Sequence, residues 1–122
     1  MTGPRVALIA AGVGVTPVRA LLEDLPAGAD PVALLRASSE EELLLGHEVL
    51  ELARERGGRV LGAFGSRDHM TLDPHTLRMN IPDLPERDVF ICGPEPFTTT
   101  VARAERRAGV TPARLHVEGF DA

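Results

Sequence analysis

The residues with the most suggestive spacing lie near the start of the chain, in the stretch Gly12-Val-Gly-Val-Thr-Pro17. An apolar run at residues 6–10 precedes this stretch, and apolar residues at helical spacing follow it, so the pattern predicts a strand that turns into a helix. Glycine lets a ligand approach the backbone, and the N–H groups at a helix start attract anions. The stretch is therefore typical of a phosphate-binding turn. Alternatively, it is a strand-to-helix turn that binds no ligand and has these residues only for its backbone geometry.

The stretch differs from an ordinary dinucleotide-binding turn in two ways. Pro17 stands where that turn has its third glycine, and the second predicted strand leads into Arg36, with no acidic residue before Glu40. This is a poor match to an ordinary NAD dehydrogenase, but it suits a dinucleotide fold that accepts an extra phosphate. Arg36 and Arg67 each follow a predicted strand, and a guanidinium can donate two hydrogen bonds to a phosphate. Alternatively, either arginine is a solvated surface residue.

The elements that must position these residues can be predicted from the hydrophobic pattern. Five short apolar runs predict strands at residues 6–10, 32–35, 59–64, 89–92 and 115–117. Helical patterns separate them: the first would be capped by Thr16, a short one lies near residues 73–79, and the last spans residues 98–108. The alternation predicts an α/β fold: an open, doubly wound, parallel five-stranded sheet of Rossmann-like type, with helices on both faces in three layers. Ligands bind such sheets beyond the carboxyl ends of the strands, where Gly12 and the stretch Cys92-Gly-Pro-Glu95 would both lie.

Composition restricts the class of protein. The 122 residues suit a single domain spanning 1–122, and 43% hydrophobic with 25% charged residues is typical of a soluble globular protein. The net charge of −5 and the absence of Tyr and Trp argue against a nucleic-acid-binding surface. No apolar run reaches the ~20 residues that a membrane-spanning helix needs. Cys92 is the only cysteine, which excludes an internal disulfide and favours a reducing, cytoplasmic location. The spacing of the four histidines predicts no metal site.

Three stretches together resemble the pyridine-nucleotide-binding half of the ferredoxin–NADP reductase-like flavoenzymes. "AAGVGVTP" is similar to the family's A-G-G-x-G-[IV]-T-P pyrophosphate loop, "DVFICGPEPF" to its [DV]-[VI]-[YF]-x-C-G-P-x-x-[MF] loop, and "LHVEGF" to its closing H-x-E-x-[aromatic] stretch. The three occur in the family's order and cover the chain from Val6 to Phe120. The resemblance implies an oxidoreductase domain that binds NADP or NAD and positions its nicotinamide for hydride transfer to a flavin.

The resemblance also implies roles for individual residues. The pyrophosphate and part of the nicotinamide would be received by Gly12, Val13, Gly14, Thr16 and Pro17. Cys92 would lie near the nicotinamide ring, in a pocket shaped by Gly93, Pro94 and Glu95. Ser66 and Arg67 match the pair that receives the 2′-phosphate in NADP-using members, and Arg36 could assist. At the catalytic centre, the Glu118 carboxylate and the Phe120 ring would join Cys92 near the flavin.

The sequence departs from the family in ways that limit these expectations. Ala11 stands where many members have glycine, and Phe120 where plant-type members have tyrosine. The family's flavin domain precedes this half, and its R-x-Y-[ST] flavin motif cannot occur without tyrosine. We therefore expect FAD only from a missing domain or a partner chain, so the chain would not be competent alone.

Two alternatives compete with this interpretation. One is a truncated or regulatory nucleotide-binding module without catalysis of its own. The other is a phospho-acceptor or methyl-donor domain, which the absence of an acid at Ala10-Ala11 and after the second strand disfavours. The sequence does not identify the electron acceptor.

Overall fold

A computed structural model describes residues 5–12, 15–37, 40–64 and 72–120 of the chain. Within these ranges, parallel strands alternate with helices in the order that the sequence predicts. The strands are β1 (Val6–Ala11), β2 (Val32–Ala37), β3 (Arg59–Phe64), β4 (Asp88–Pro94) and β5 (Leu115–Phe120). The α-helices are α1 (Val15–Glu23), α2 (Glu40–Glu55), α3 (Pro74–Asn80) and α4 (Glu95–Arg107). Short 3₁₀ turns at Leu84–Glu86 and Pro112–Arg114 precede β4 and β5.

The five strands form one parallel sheet in the order β3-β2-β1-β4-β5. The chain leaves β1 toward β2 and β3, then returns across the sheet to β4 on the other side of β1. Strand order therefore reverses between β1 and β4, and the carboxyl ends of these two strands define the crevice where such sheets bind ligands. The predicted open, doubly wound Rossmann-like fold is confirmed.

Helices cover both faces of this sheet because the strand side chains alternate in direction. On one face, even-numbered β1 residues such as Leu8 pack with Val18 and Leu22 of α1 and Val49 of α2. On the other face, odd-numbered residues such as Ile9 pack with α3 and α4, and Phe97 lies against this second core. The arrangement has three layers, and residue parity along a strand fixes which face each side chain occupies.

Several boundaries differ from the prediction, mostly by one to three residues. The helix predicted from residue 98 begins at Glu95, because Pro96 is well tolerated in a first turn. Thr16, expected to cap α1, lies inside it, because the helix begins at Val15. The short helix near residues 73–79 is α3, whose first turn is capped by Asp73: its Oδ1 accepts a hydrogen bond from the Thr76 N–H at 2.7 Å.

A buried arginine secures the amino edge of the sheet. Arg87 is only 3% exposed, and its guanidinium donates hydrogen bonds to Asp83 Oδ1 at 2.8 Å, the Val6 carbonyl at 2.8 Å and the Asp30 carbonyl at 2.9 Å. These bonds join the start of β1 to the segments that precede β2 and β4. The predicted site residues that the structure describes lie at the opposite, carboxyl edge of the sheet.

Candidate functional site

The glycine stretch lies between a strand and a helix, as the sequence predicts. Ala11 ends β1, Gly12 adopts a positive φ of 58°, and α1 begins at Val15. Thr16 is exposed and Pro17 is half-buried in the first turn of the helix. The start of α1 therefore lies at the carboxyl edge of the sheet, beside β4. Val13 and Gly14 lie outside the described residues.

The end of β4 approaches β1 so closely that a side chain at Gly93 would be crowded. A Cβ there would lie 3.0 Å from Phe97 Cδ2 and 3.3 Å from the Ala11 carbonyl oxygen. Cys92 pairs with Ala10 in the register of the two strands, Pro94 occupies the N-cap position of α4, and Glu95 is its first residue. Glycine at this position lets the ends of β1 and β4 meet, with a helix start beside each.

A groove of about 510 Å³ runs between α1 and the neighbouring strands β4 and β5. Three of the predicted site residues, Pro17, Cys92 and Glu118, come together there. Its remaining lining residues come from α1, β4 and β5: Ala20, Leu21, Asp24, Phe90, His116 and Val117. The walls are mostly apolar, with carboxylates at Asp24 and Glu118, so the groove suits a flat, largely apolar group that carries a polar substituent.

Cys92 and Glu118 are paired across β4 and β5 at the carboxyl end of the groove. Burial, and secondarily the Glu118 carboxylate, raise the pKa of the Cys92 thiol to about 11. A thiol held neutral near physiological pH is a weak nucleophile. Cys92 therefore offers a small, uncharged surface to a ligand.

Phe90 and His116 extend the groove toward the amino edge, and the sequence analysis gave neither a role. Their rings stack with centroids 4.5 Å apart and planes 18° apart, and His116 Nε2 lies 3.6 Å from Asp88 Oδ1. The period-two alternation of the strands could have revealed them, because it puts Phe90 on the face of Cys92 and His116 on the face of Glu118.

A second cluster lies at the same edge of the sheet but on the face covered by α4. Arg36 is paired with Ala11 in the register of β2 and β1, and its parity places it with Val32 and Leu34 on that face. The guanidinium carbon of Arg36 lies 5.7 Å from the centre of the Phe97 ring. Arg36 therefore does not lie in the groove of Cys92 and Glu118; it sits beyond the end of β1, near the start of α4.

The remaining predicted site residues are Ser66, Arg67 and Phe120. Ser66 and Arg67 lie outside the described residues. Phe120 ends β5 opposite Pro94, which brings its backbone to the same edge of the sheet. Among the residues that the structure describes, no group of three potential ligands could hold a metal ion. Nor does any helix in the described ranges have both the length and the apolar character needed to cross a membrane.

Comparisons with known proteins agree with this geometry. The model of the oxidoreductase NAD-binding domain family matches residues 8–103. The chain is 31% identical over 120 residues to an NADPH oxidoreductase of Mycobacterium tuberculosis, covering 96% of this chain and 31% of that protein. It is 28% identical over 130 residues to the glycine betaine monooxygenase reductase subunit of Pseudomonas aeruginosa, covering 95% of this chain and 35% of that one. The chain thus spans about a third of the length of these relatives.

Solved structures show the same fold. The FAD/NAD-binding domain of a Vibrio cholerae nitric oxide dioxygenase superposes with a TM-score of 0.71 at 23% identity, over 100% of this chain and 53% of that one. A flavohemoglobin of Malassezia yamatoensis, solved with bound FAD and heme, gives a TM-score of 0.64 at 29% identity, over 97% of this chain and 32% of that one. Because the family model matches most of the chain, the chain belongs to the oxidoreductase NAD-binding domain family, the nucleotide-binding part of ferredoxin–NADP reductase-like flavin oxidoreductases.

Proposed function

We propose that this domain, spanning residues 1–122, holds NADPH or NADH across the carboxyl edge of the sheet and presents the nicotinamide to a flavin held elsewhere. The observation that carries this proposal is the pairing of Cys92 with Glu118 in a groove beside the start of α1. The flavin would come from another domain or another chain.

The residues at the edge of the sheet fit a pyridine dinucleotide. The positive φ of Gly12 and the start of α1 suit a pyrophosphate, because helix N-terminal N–H groups attract anions. The apolar walls of the groove suit the nicotinamide ring, with Pro17 and Cys92 on either side of it. Arg36 supplies a positive charge next to the end of β1.

The bound dinucleotide supplies the hydride, and the chain supplies orientation and electrostatics. The neutral thiol of Cys92 can contact a ring without reacting with it. Glu118, exposed beside it, would place a carboxylate next to the ring and the incoming flavin. Phe120, at the end of β5, would contribute its ring to the same place, as the family resemblance implies.

A partner domain is supported by the groove-lining faces of β4 and β5. Parallel sheets are usually covered on both faces, yet Phe90, Cys92, His116 and Glu118 line an open groove next to α1. A flavin-binding domain or subunit that covered this groove would bring its ring to Cys92. The reductase components among the relatives support this arrangement, as does their roughly threefold greater length. The free thiol of Cys92 favours a cytoplasmic location.

A preference for NADPH is a further part of the proposal. It rests on Ser66 and Arg67, which follow β3 and match the pair that receives the 2′-phosphate in NADP-using members. Arg67→Ala should weaken binding of NADPH by about tenfold or more while leaving NADH nearly unchanged, as expected for loss of a charge-assisted phosphate contact. Equal losses of affinity for NADPH and NADH would contradict the role of Arg67 in binding the 2′-phosphate.

Isothermal titration calorimetry of the purified chain with NADPH and NADH tests the main proposal. We expect binding of at least one of them, weakened by Arg36→Ala. The control is Arg54→Ala, which removes one charge from the last turn of α2, at the opposite edge of the sheet. No heat of binding at millimolar nucleotide would refute the proposal. Binding without any effect on electron transfer, once the flavin-binding partner is supplied, would instead support a module without catalysis.

A further inference from the structure

The Arg36–Phe97 contact joins two elements across the end of β1. Arg36 lies on β2 and is paired with Ala11 of β1, while Phe97 projects from the first turn of α4, which follows β4. Both side chains are half-buried, with the guanidinium carbon 5.7 Å from the ring centre. This separation is within the range of about 6 Å over which an arginine is attracted to an aromatic ring.

The position of the ring is itself restricted by Gly93. A Cβ on residue 93 would come within 3.0 Å of Phe97 Cδ2, so the ring fills the space that the absent side chain leaves. Phe97 also packs against the core on the α4 face of the sheet. The aromatic ring is therefore held by its surroundings, and it offers a defined surface to the guanidinium of Arg36.

Contact with an aromatic ring can orient the guanidinium of Arg36 before a ligand binds. An arginine has many rotamers, and fixing one of them when a ligand binds is entropically unfavourable. Attraction to a ring face depends on the charge of the guanidinium and takes up no carboxylate or carbonyl acceptor. The ring contact itself therefore uses none of the guanidinium N–H donors, which are the groups that bind phosphate oxygens.

We propose that Phe97 is a positioning residue: its ring holds the guanidinium of Arg36 at the end of β1, where Arg36 pairs with a phosphate oxygen of the bound dinucleotide. The inference rests on the proposed function, because it requires a phosphate at this edge of the sheet. Phe97 acts through Arg36 and has no need to touch the nucleotide. A competing role, in which the ring is a platform for the base, makes a different prediction.

A double-mutant cycle separates the two roles. The dissociation constant of the nucleotide that the chain binds more tightly, NADPH or NADH, is measured by calorimetry for the wild type, Phe97→Leu, Arg36→Ala and the double variant. We expect Phe97→Leu to weaken binding about three- to tenfold, the range that a cation–π contact provides. In the Arg36→Ala background the same change should have no further effect. Phe97→Trp, which retains an aromatic face, should bind like the wild type.

The outcomes can be told apart. If Phe97→Leu reduced the affinity equally in the wild type and in the Arg36→Ala background, the inference would be overturned, because Phe97 would then act on the nucleotide directly. Unchanged binding in Phe97→Leu would overturn it as well. If the wild type binds neither nucleotide, the proposed function fails first. Thermal unfolding of each variant verifies that the fold is intact, and if Phe97→Leu lacks a cooperative transition, the same cycle is run with Phe97→Met.

Discussion

Cys92 and Glu118 are directly paired across β4 and β5, so a neutral thiol and a carboxylate lie side by side at the carboxyl end of an open groove. Neither position depends on a loop, because each side chain comes from a strand with a parallel neighbour. The pairing also couples their chemistry, since the carboxylate raises the pKa of the thiol further than burial alone.

The first prediction concerns the reactivity of Cys92. Because its pKa is raised to about 11, the thiolate fraction at pH 7–8 should be roughly a hundredfold below that of an ordinary cysteine thiol. Alkylation by iodoacetamide, followed by mass spectrometry, should be correspondingly slow. Its rate should rise about tenfold per pH unit between pH 7 and 9, because the thiolate fraction does.

Removal of the neighbouring charge tests the contribution of Glu118 to this pKa. Glu118→Gln should speed the alkylation several-fold at pH 8, whereas Glu51→Gln, at an exposed position on α2, should not change the rate. Equal rates in all three proteins would mean that burial alone sets the pKa of Cys92.

The second prediction concerns a buried acid in α4. Glu105 is fully buried, neither of its carboxylate oxygens has a hydrogen-bond partner among the described residues, and burial raises its pKa from 4.5 to about 8. The unfolded chain loses this proton near pH 4.5, but the folded chain keeps it until about pH 8. The free energy of unfolding should therefore fall as pH rises through this window, by up to about 1.4 kcal/mol per pH unit, and then level off.

Substitution of Glu105 by an apolar residue of similar size should remove this pH dependence. We expect Glu105→Met to be more stable than the wild type at pH 8 and to lose the contribution of Glu105 to the pH slope between 4.5 and 8. Urea unfolding at several pH values measures both effects. The control is Glu55→Gln at the exposed end of α2, which should retain the slope of the wild type. If the free energy of unfolding of Glu105→Met fell more steeply with pH than that of the wild type, Glu105 would not be the source of the pH dependence.

The third prediction compares two glycines in different surroundings. Gly46 lies inside α2, where a Cβ would sit 3.8 Å from Leu35 Cδ1, so Gly46→Ala should stabilise the chain by up to about 1 kcal/mol. Gly93→Ala places a methyl group 3.0 Å from Phe97 Cδ2 and should destabilise it by about 1–3 kcal/mol. The midpoint temperature of thermal unfolding should thus rise for Gly46→Ala and fall for Gly93→Ala. Nucleotide binding should weaken only for Gly93→Ala.

The fourth prediction concerns the buried arginine at the amino edge. Arg87→Met removes the hydrogen bonds to Asp83 and to the carbonyl oxygens of Val6 and Asp30, leaving these acceptors without that donor. We expect a loss of about 3–5 kcal/mol in the free energy of unfolding. Arg103→Met, at an exposed position on α4, should change it by less than about 0.5 kcal/mol. A similar small effect at both positions would show that Arg87 is dispensable.

The sequence predicted the sheet well, because strand and helix periods alternate along it and the right-handed connection rule leaves few topologies. It also predicted that the turns at Gly12–Pro17 and Gly93–Pro94 lie at one edge of the sheet, where Pro17 and Cys92 do line one groove. The place of Glu118 in this groove was expected only from the family resemblance. The sequence did not separate Arg36 from that groove. Parity along β2 decides the face of Arg36, and the prediction ended this strand at residue 35, two residues before its end at Ala37.

Phe97 had no predicted role, although this residue closes one of the three motifs. Its contact with Arg36 depends on how closely β4 approaches β1 at Gly93, which is a tertiary relation between residues far apart in the chain. Likewise, nothing local marks Glu105 as buried, because an acid on an amphipathic helix normally faces solvent.

The two clusters at the carboxyl edge lie on opposite faces of one sheet, Cys92 with Glu118 beside α1 and Arg36 with Phe97 beside α4. A dinucleotide bound as proposed must pass over the carboxyl ends of β1 and β4, with one mononucleotide on each face of the sheet. Its two halves then behave as linked fragments, each bound by its own set of side chains. Changes on one face can adjust the affinity for one fragment while the geometry offered to the other stays the same.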